Sequence, residues 1–447
     1  MESELKIPAS AFLIPVFKEQ ADAVSITAGM PGIRIQYLGG TVWGLTPEQI
    51  RTRIVDGVNK LTGQPMMREM ITKLTAPLTA AERDMSPRTA DIGPATYTDT
   101  EENLHKLFRE KRYTDFLPVV LPTKEKVDAM LAQTSHAPDT VLGRMNPGSV
   151  AGETWTYTVR HAAIAAVMAG ADPEYFPIIL AIGSAGVTAV NVSDNGFAAG
   201  AVINGRIRHE LGMNMDLGAV GPYSHPSTTI GRAWHLLSIN GGNCGKVGTT
   251  YHGTVGNPLN LIGVIIAENE EESPWDPLSV RRGFKKDENI VTLYNGWGIL
   301  SARNWAVTDW TATPIYSQNI RNIQRMQNPG LFGTMVVLSP PIADFVYGEG
   351  FDTLEKLHAF INEPDPNAKP KAAPKPADAK PAGDAAAKPK VDPEMAAKAA
   401  AAAAKPKPAA NATEGSFSLV VTGGRNNNYW MIGGMAIGRS IQIDPWR

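Results

Sequence analysis

Residues 198–267 contain the pattern that decides the fold: AAGAVI at 198–203, PSTTIGRAWHLLSI at 226–239 and LIGVIIA at 261–267. The first and third stretches are apolar runs of strand length. The middle stretch begins with a proline, which is favoured in the first turn of a helix, and Gly241-Gly242 follows its end. This strand–helix–strand unit predicts a sheet whose strands are joined by helices packed on its faces.

The same alternation continues on both sides of this unit. Apolar stretches predict buried helices over 154–169 and 173–182, and further strands over 290–294 and 333–338. Another helix is predicted over 352–362. We therefore predict an α/β protein with a mixed or parallel sheet flanked by helices, and we detect no internal sequence repeat.

One segment differs sharply in composition from the rest of the chain. Residues 364–413 contain nine lysines and five acids among alanines and prolines, and they contain no aromatic residue. Such a segment cannot bury enough apolar surface to offset the entropy cost of ordering it. We predict a disordered Ala/Pro/Lys-rich linker over 364–414, which serves either as a solvated insertion or as a tether for a protein partner.

This linker helps to divide the chain into four parts. Residues 1–95 are predicted to form a small N-terminal α/β domain, and residues 96–363 a central α/β domain. After the linker, residues 415–447 become apolar and aromatic again, with a strand expected near Ser418. Because so short a piece cannot build its own core, we expect it to pack on the central domain as a β tail.

The overall composition excludes several classes of protein. The 447 residues include 42 Lys and Arg against 44 Asp and Glu, a net charge of −2, so nothing favours nucleic acid or an anionic membrane as a partner. The first residues carry acids before a short apolar stretch, unlike a secretory signal. We expect a cytoplasmic protein, and a body of this size is compatible with a homo-oligomer.

A first candidate site follows the strand predicted at 198–203. Asn204, Arg208 and His209 come directly after it, where ligands usually bind in α/β sheets. Arg208 is suited to bind a carboxylate, and His209 to transfer a proton. The alternative is a solvated helix start.

A second candidate site is the start of the helix predicted at 226–239. His225, Ser227, Thr228 and Arg232 lie within its first two turns. A helix N-terminus carries unpaired N–H groups and a partial positive charge, which suit a carboxylate or phosphate. The alternative is that Ser227 only caps the helix and that Arg232 pairs on the surface.

Two more polar residues follow the strand predicted at 261–267. Glu268 and Asn269 come directly after it, so we predict a catalytic role for Glu268 and substrate binding by Asn269. Glu270 to Glu272, further from the strand, are expected to form a solvated face.

The sequence contains one cysteine and no recognisable metal-binding motif. Cys244 is the only cysteine, which excludes a disulfide framework within the chain, and it lies in a glycine-rich loop beside Lys246. It is a possible nucleophile if its thiolate is stabilised, and otherwise an inert thiol. No HExxH pattern occurs, so we predict no metal site, and the sequence identifies no cofactor.

Several motifs together resemble a known group of proteins. They are DFLPVVLPT at 115–123, VMAGADPEYFP at 167–177, IGRA at 230–233, AENE at 267–270 and SPW at 273–275. The chain resembles a broad, mostly uncharacterised bacterial protein family associated with UGSC-type thiol/selenol proteins, over about 110–360 and the C-terminal tail. The resemblance implies no particular reaction, and the chain contains no Cys-Gly-Ser-Cys sequence.

These observations favour one function and leave an alternative. We expect a cytoplasmic enzyme, of lyase or reductase type, that binds a small anionic metabolite through arginine and uses histidine for acid–base catalysis. This hypothesis requires the polar side chains between 204 and 270 to meet around one hollow. The alternative is a non-catalytic subunit of a multiprotein redox or transfer complex, tethered through the linker.

Overall fold

A computed structural model shows most of the chain. It describes residues 7–18, 21–22, 25, 30–40, 45–85, 89–91, 95–145, 154–190, 197–247, 250–251, 255–260, 263–302, 316–327, 333–363, 417–426 and 430–447. The linker predicted over 364–414 lies outside the described residues. Among the described helices, none is both long enough and apolar enough to cross a bilayer.

The strands and helices alternate along most of the chain. The strands are β1 Ala11–Leu13, β2 Ile35–Tyr37, β3 Thr89–Asp91, β4 Val141–Arg144, β5 Thr154–Thr158, β6 Ala198–Asn204, β7 Val264–Ala267, β8 Ile290–Ala302, β9 Thr334–Leu338, β10 Phe417–Val421 and β11 Trp430–Gln442. The helices are α1 Pro47–Ile50, α2 Met66–Thr75, α3 Ala80–Arg83, α4 Glu101–Glu110, α5 Lys124–Leu131, α6 Val159–Ala169, α7 Phe176–Ser184, α8 Ile207–Glu210, α9 His225–Asn240, α10 Leu278–Arg281, α11 Tyr316–Gln327, α12 Pro340–Gly348 and α13 Leu354–Asn362.

The main sheet is mixed and has six strands in the order β10-β9-β11-β8-β6-β7. The pairs β6–β7 and β9–β10 are parallel, while the three pairs between them are antiparallel. Helices flank this sheet, which confirms the predicted α/β class with a mixed sheet. The two strands that follow the linker, β10 and β11, are members of this sheet rather than of a separate one.

The sheet repeats one pairing pattern twice. In the first half, β6 lies between the parallel β7 and the antiparallel β8; in the second half, β9 lies between the parallel β10 and the antiparallel β11. The long strands β8 and β11 join the halves by pairing side by side and antiparallel along their whole length, with Trp430 opposite Ala302 and Gln442 opposite Ile290. This duplication of topology has no counterpart that we detect in the sequence.

The sheet curls until its two edge strands meet. The backbone N–H of Asn269, just after β7, donates to the carbonyl of Val421 in β10 at 2.8 Å. The Thr422 hydroxyl donates to the carbonyl of Ala267 at 2.7 Å. Inside the curl, alternate residues of the strands form one apolar cluster together with a residue of α10: Val202, Ile266, Leu278, Tyr294, Met335, Val337, Val420 and Met435.

Helices cover the outer face of each half separately. Against the first half, α6, α7 and α9 contribute to a core that includes Ala201, Ile203 and Trp234. Against the second half, α11, α12 and α13 form another core with Val336, Leu419 and other outward side chains. At roughly 25 cal/mol per Å² of buried apolar area, these layers dominate the stability of the fold.

One predicted element boundary is wrong. The helix predicted over 154–169 begins only at Val159, and Thr154–Thr158 forms β5 instead. The sequence TWTYT alternates β-branched and aromatic residues, which favours a strand. This strand pairs with β3 and β4, so β3 connects the end of the predicted N-terminal domain to the central part of the chain.

Candidate functional site

Polar side chains gather where β6 and β7 end, as the sequence predicted. We call this group the strand-end cluster: Asn204, Arg208, His209, Glu268, Glu270 and Glu271. The Asn204 amide nitrogen donates to Glu268 at 2.5 Å and to Glu270 at 3.0 Å. Its oxygen is buried and has no hydrogen-bond partner among the described residues. The register of the parallel pair, Ile203 opposite Ala267, is what brings these side chains together.

Glu268 is the most deeply buried acid of the cluster, with 1% of its surface exposed. Its carboxyl accepts hydrogen bonds from Asn204 and, at 2.9 Å, from the backbone N–H of Leu278 at the start of α10. Burial raises the pKa of Glu268 to about 7, although Arg281 at 4.0 Å and these hydrogen bonds act in the opposite direction. Glu268 therefore titrates near neutral pH.

Arg208 is buried, and its guanidinium is bound within the chain. It donates to the carbonyls of Gly205, at 2.9 Å, and of Glu268. It also pairs with the carboxylates of Glu270 at 3.2 Å and Glu271 at 3.1 Å. Because these groups already bind the guanidinium, Arg208 holds the ends of β6 and β7 together. It does not present its charge to a ligand in the way that the sequence predicted.

His209 is the exposed member of the cluster. Its Nε2 lies 3.0 Å from a Glu271 carboxylate oxygen, and both side chains are more than half exposed. Burial tends to raise the pKa of Glu271, but hydrogen bonds from Arg208 and His209 outweigh it and lower the pKa to about 2. The Glu271 carboxylate therefore stays charged and orients the imidazole.

Asn269 connects this cluster to the second half of the sheet. Its side-chain amide donates to the carbonyls of Met215 at 3.2 Å and Gly423 at 3.4 Å. Together with its backbone bond to Val421, these contacts hold the loop after β6 and the loop after β10 against each other. Asn269 is thus a structural junction between the halves.

Next to this junction lies a crevice of about 510 Å³ at the carboxyl ends of β9 and β10. We call it the β9–β10 crevice; its lining residues are Leu217, Gly218, Ala219, Val220, Gly221, Val337, Ser339, Thr422, Gly423, Gly424, Asn426 and Met431. A Cβ atom on Gly424 would lie 2.1 Å from a carboxylate oxygen of Asp216 and 2.7 Å from Leu217, so a larger residue at this position would force these side chains to move.

A helix also begins at the β9–β10 crevice. Ser339 is the N-cap residue of α12 and makes no capping hydrogen bond with its side chain. Pro340 and Pro341 follow, and proline has no N–H to donate. The helix therefore contributes the positive end of its dipole to the crevice, rather than direct donors from its first two residues.

The second predicted site lies elsewhere in the fold. His225 is at the start of α9, as predicted, and its Nδ1 lies 3.3 Å from the Tyr175 hydroxyl and 3.5 Å from an Asp172 carboxylate oxygen. Ser227 is buried and accepts a 2.8 Å hydrogen bond from the Ser224 hydroxyl, while Thr228 is half-buried beside it. None of these three residues lines the β9–β10 crevice.

Arg232 forms a buried ion pair. Its guanidinium donates two hydrogen bonds to the Asp115 carboxylate, both at 2.9 Å, and a third to the Pro118 carbonyl at 2.7 Å. This bidentate geometry corresponds to the alternative interpretation, in which Arg232 pairs within the protein, except that both side chains are largely buried.

Cys244 is buried behind the glycine-rich loop. Its thiol donates to the carbonyl of Gly242 at 3.2 Å, and burial raises its pKa to about 12. A thiol with this pKa carries almost no thiolate at neutral pH, and the thiolate is the nucleophilic form. The geometry therefore favours an inert thiol over a nucleophile.

The structure thus brings together only part of the predicted set. Asn204, Arg208, His209, Glu268 and Asn269 meet at the strand ends, whereas His225, Arg232 and Cys244 lie in three other places. Sequence reasoning missed the crevice residues Ser339, Thr422 and Gly423. In the sequence, Ser-Pro-Pro after β9 and Gly-Gly after β10 predict where these two strands end. They do not predict that the two strand ends lie side by side.

Neither the comparisons with known proteins nor a search for metal-binding side chains identifies a function. Compared with family models, curated proteins and solved structures, the chain gives no match. Within the part of the chain that the structure describes, no three His, Cys, Asp or Glu side chains are placed to hold a metal ion.

Proposed function

We propose that this protein is a cytoplasmic enzyme of small-molecule metabolism that binds a small anionic metabolite, a carboxylate or a phosphate, in the β9–β10 crevice. The observation that carries the proposal is the crevice itself. At about 510 Å³ it falls within the range of ligand sites, and it lies at the carboxyl ends of two parallel strands, where α/β proteins usually bind ligands.

The chemistry of the lining supports an anion. The residues that line the crevice include no acid, although the Asp216 carboxylate lies beside Gly424. Their polar side chains are those of Ser339, Thr422 and Asn426, and the Thr422 hydroxyl already donates to the Ala267 carbonyl. Four glycines leave the backbone accessible to a ligand, and the positive end of the α12 dipole lies at the same place. The arginines proposed from sequence, Arg208 and Arg232, are bound to carboxylates and are not part of this lining.

Acid–base chemistry is assigned to the adjoining strand-end cluster. His209 is the member of the cluster that exchanges protons with solvent, since its side chain is 57% exposed while Glu268 is buried, and it is not among the residues that line the crevice. Glu268, with its pKa raised to about 7, supports the cluster as a buried proton acceptor. The proposed reaction is of lyase or reductase type.

A crevice-filling variant tests ligand binding. In a thermal-shift screen against small carboxylates and phosphate esters, a ligand at one hundred times its Kd should stabilise the wild type by about 2.7 kcal/mol. Val220→Trp should abolish this shift, because Val220 lines the crevice and is 40% exposed. Val255→Trp is the control, because Val255 is 98% exposed and is not among the lining residues. Shifts of equal size in both variants would contradict the proposal.

A second candidate function rests on the rim of the crevice. Leu217, Val220 and Tyr223 expose apolar surface on one loop, with Tyr223 81% exposed. Such a surface also suits a protein partner, as expected for a non-catalytic subunit of a redox or transfer complex. Deleting residues 364–413 separates the two: an enzyme should keep its turnover, whereas a tethered subunit should lose co-purifying partners.

The resemblance to the UGSC-type family stays a prediction. Thiol chemistry is not part of the proposed mechanism, because Cys244 is buried and has a raised pKa. The mechanism depends instead on the crevice and on the strand-end cluster.

A further inference from the structure

The β9–β10 crevice has an apolar floor. Val337, which is 3% exposed, belongs to the apolar cluster inside the curl of the sheet, and the partly buried Met431 packs against that cluster. Both residues also line the crevice. The crevice therefore opens onto part of this cluster, and a ligand that reaches the floor contacts apolar side chains there.

The loop between α8 and α9 adds apolar side chains at the mouth of the crevice. Leu217 and Val220 belong to the lining and are 60% and 40% exposed. Hydrogen bonds within the loop fix its shape. The Asn214 amide donates to the Leu217 carbonyl at 2.9 Å, and a 2.7 Å backbone bond closes the turn from Gly218 to Gly221. An apolar group in the crevice would remove Leu217 and Val220 from water, which favours binding in proportion to the area covered.

Next to these apolar side chains lie two donors that the protein leaves free. Gly424 and Asn426 both line the crevice. The backbone N–H of Gly424 and the side-chain amide of Asn426 make no hydrogen bond with the residues that the structure describes. The apolar mouth adjoins them, because a Cβ atom on Gly424 would lie 2.7 Å from a Leu217 methyl group. A ligand that matches both features carries a hydrogen-bond acceptor beside an apolar body.

Charges near these donors favour an acceptor with a single negative charge. The Asp216 carboxylate lies beside Gly424. Arg425, the next residue, pairs with Glu272 at 2.5 Å and with Asp344 at 2.6 Å, and these three side chains are between 42% and 50% exposed. A phosphate monoester carries about −1.5 to −2 charges at pH 7, so carboxylates at this place repel it more than they repel a carboxylate ligand. Solvent screens the weaker repulsion of a single charge.

We propose that the ligand of the β9–β10 crevice is a monocarboxylate with an apolar body, an alkyl or aryl carboxylate, rather than a phosphate ester. This inference rests on the proposed function and narrows its substrate class. The carboxylate accepts hydrogen bonds from the Gly424 N–H and the Asn426 amide. The apolar body lies against Leu217 and Val220 at the mouth and against Met431 at the floor.

A series of straight-chain carboxylates tests the apolar body. In isothermal titration calorimetry of the full chain with acetate, butyrate, hexanoate and octanoate, the Kd should fall by about fourfold for each CH2 group that becomes buried. Heptyl phosphate, which has the same alkyl chain as octanoate, should bind more weakly by about threefold, the effect of one additional exposed charge.

The outcomes separate this inference from the proposed function. A Kd that does not change with chain length, or equal affinity for heptyl phosphate and octanoate, would overturn the inference and leave anion binding in the crevice intact. If the protein binds neither the carboxylates nor the phosphate, the proposed function fails as well.

A variant at the mouth locates the binding site of the alkyl chain. Leu217→Gln should weaken octanoate binding by about tenfold, because the long chain loses an apolar contact, and should leave acetate binding unchanged. Val141→Gln is the matched control, since Val141 is 63% exposed and is not among the lining residues. Equal losses of octanoate binding in the two variants would show that the chain does not lie in the crevice.

A charge variant tests the selection of carboxylate over phosphate. Asp216→Asn removes one negative charge beside Gly424, so it should reduce the preference for octanoate over heptyl phosphate by about threefold. Asp287→Asn, at an exposed position outside the lining, should leave the ratio of the two Kd values at the wild-type value. A ratio that Asp216→Asn does not change would show that charge does not select the carboxylate and would overturn that part of the proposal.

Discussion

At the scale of single residues, Glu268 is a buried carboxyl group whose hydrogen-bond partners come from two different elements. It is a carboxyl group with 1% exposure, yet it is joined by hydrogen bonds to Asn204 and to the first turn of α10. Arg281, 4.0 Å away, also donates to the carbonyl of Leu419 in β10 at 2.5 Å. Arg281 therefore links the Glu268 carboxyl to β10, one of the two edge strands that meet where the sheet curls.

The raised pKa of Glu268 predicts a specific dependence of stability on pH. Between the ordinary value of 4.5 and the folded value of about 7, the native state holds a proton that the unfolded state has released. The free energy of unfolding should therefore fall as pH rises through this window, by an amount on the order of a few kcal/mol. Glu268→Gln should flatten that fall, as measured by urea unfolding between pH 4.5 and 8.

The control for this prediction is Glu271→Gln. The pKa of Glu271 is lowered to about 2, so its contribution is present above pH 4.5 and is lost only as pH falls toward 2. Its variant should keep the wild-type slope between pH 5 and 8. An unchanged slope in Glu268→Gln would show that another group titrates in that window.

Some of these residue roles follow from sequence and some do not. Asn204 and Glu268 each follow an apolar strand, and pairing those strands is enough to place them together. Arg232 meets Asp115, which is 117 residues earlier in the chain. No local pattern identifies that partner, so the sequence left open whether Arg232 binds a ligand or forms an ion pair.

At the scale of elements, α9 packs unusually close to the sheet. A Cβ atom on Gly231 would lie 2.0 Å from the carbonyl oxygen of Gly263, just before β7. The helix itself was predictable from its proline start and apolar stripe, and it spans His225–Asn240. The need for glycine at position 231 was not, because it arises from a neighbour that is distant in sequence.

Replacing this glycine should destabilise the protein. In most helices Gly→Ala is stabilising, by up to about 1 kcal/mol. Gly231→Ala should instead cost about 1–3 kcal/mol, because the methyl group forces α9 away from the sheet. Gly348→Ala is the control, since no atom lies within 4 Å of the added Cβ in α12. Chemical unfolding of both variants measures the difference, and equal effects would contradict the close approach.

At the scale of the whole molecule, the sheet depends on the strands after the linker. β11 pairs with both β8 and β9, so it joins the two halves. Apolar runs predicted the first residues of β8 and the strands β9 and β10. The order of the strands was not predictable, because pairing between β8 and β11 links segments that are more than a hundred residues apart. The repeated topology likewise arises from how the strands pair, and no repeated sequence accompanies it.

Two truncations test this division of the molecule. Deleting 430–447 removes β11 and should abolish the cooperative thermal transition. Deleting 1–85 removes β1 and β2, which pair only with each other among the described strands, and should leave a cooperative transition in place. Differential scanning calorimetry distinguishes the outcomes. A cooperative transition in the chain without β11 would show that the halves fold independently.

The central position of β11 also has a consequence during synthesis. β8 leaves the ribosome well before its partner, since residues 303–429 must be translated between them. At 5–20 residues per second this delay is on the order of 10 s, during which an apolar strand edge of the nascent chain stays open. Slow translation of the intervening stretch would lengthen the time for which this edge is open to aggregation.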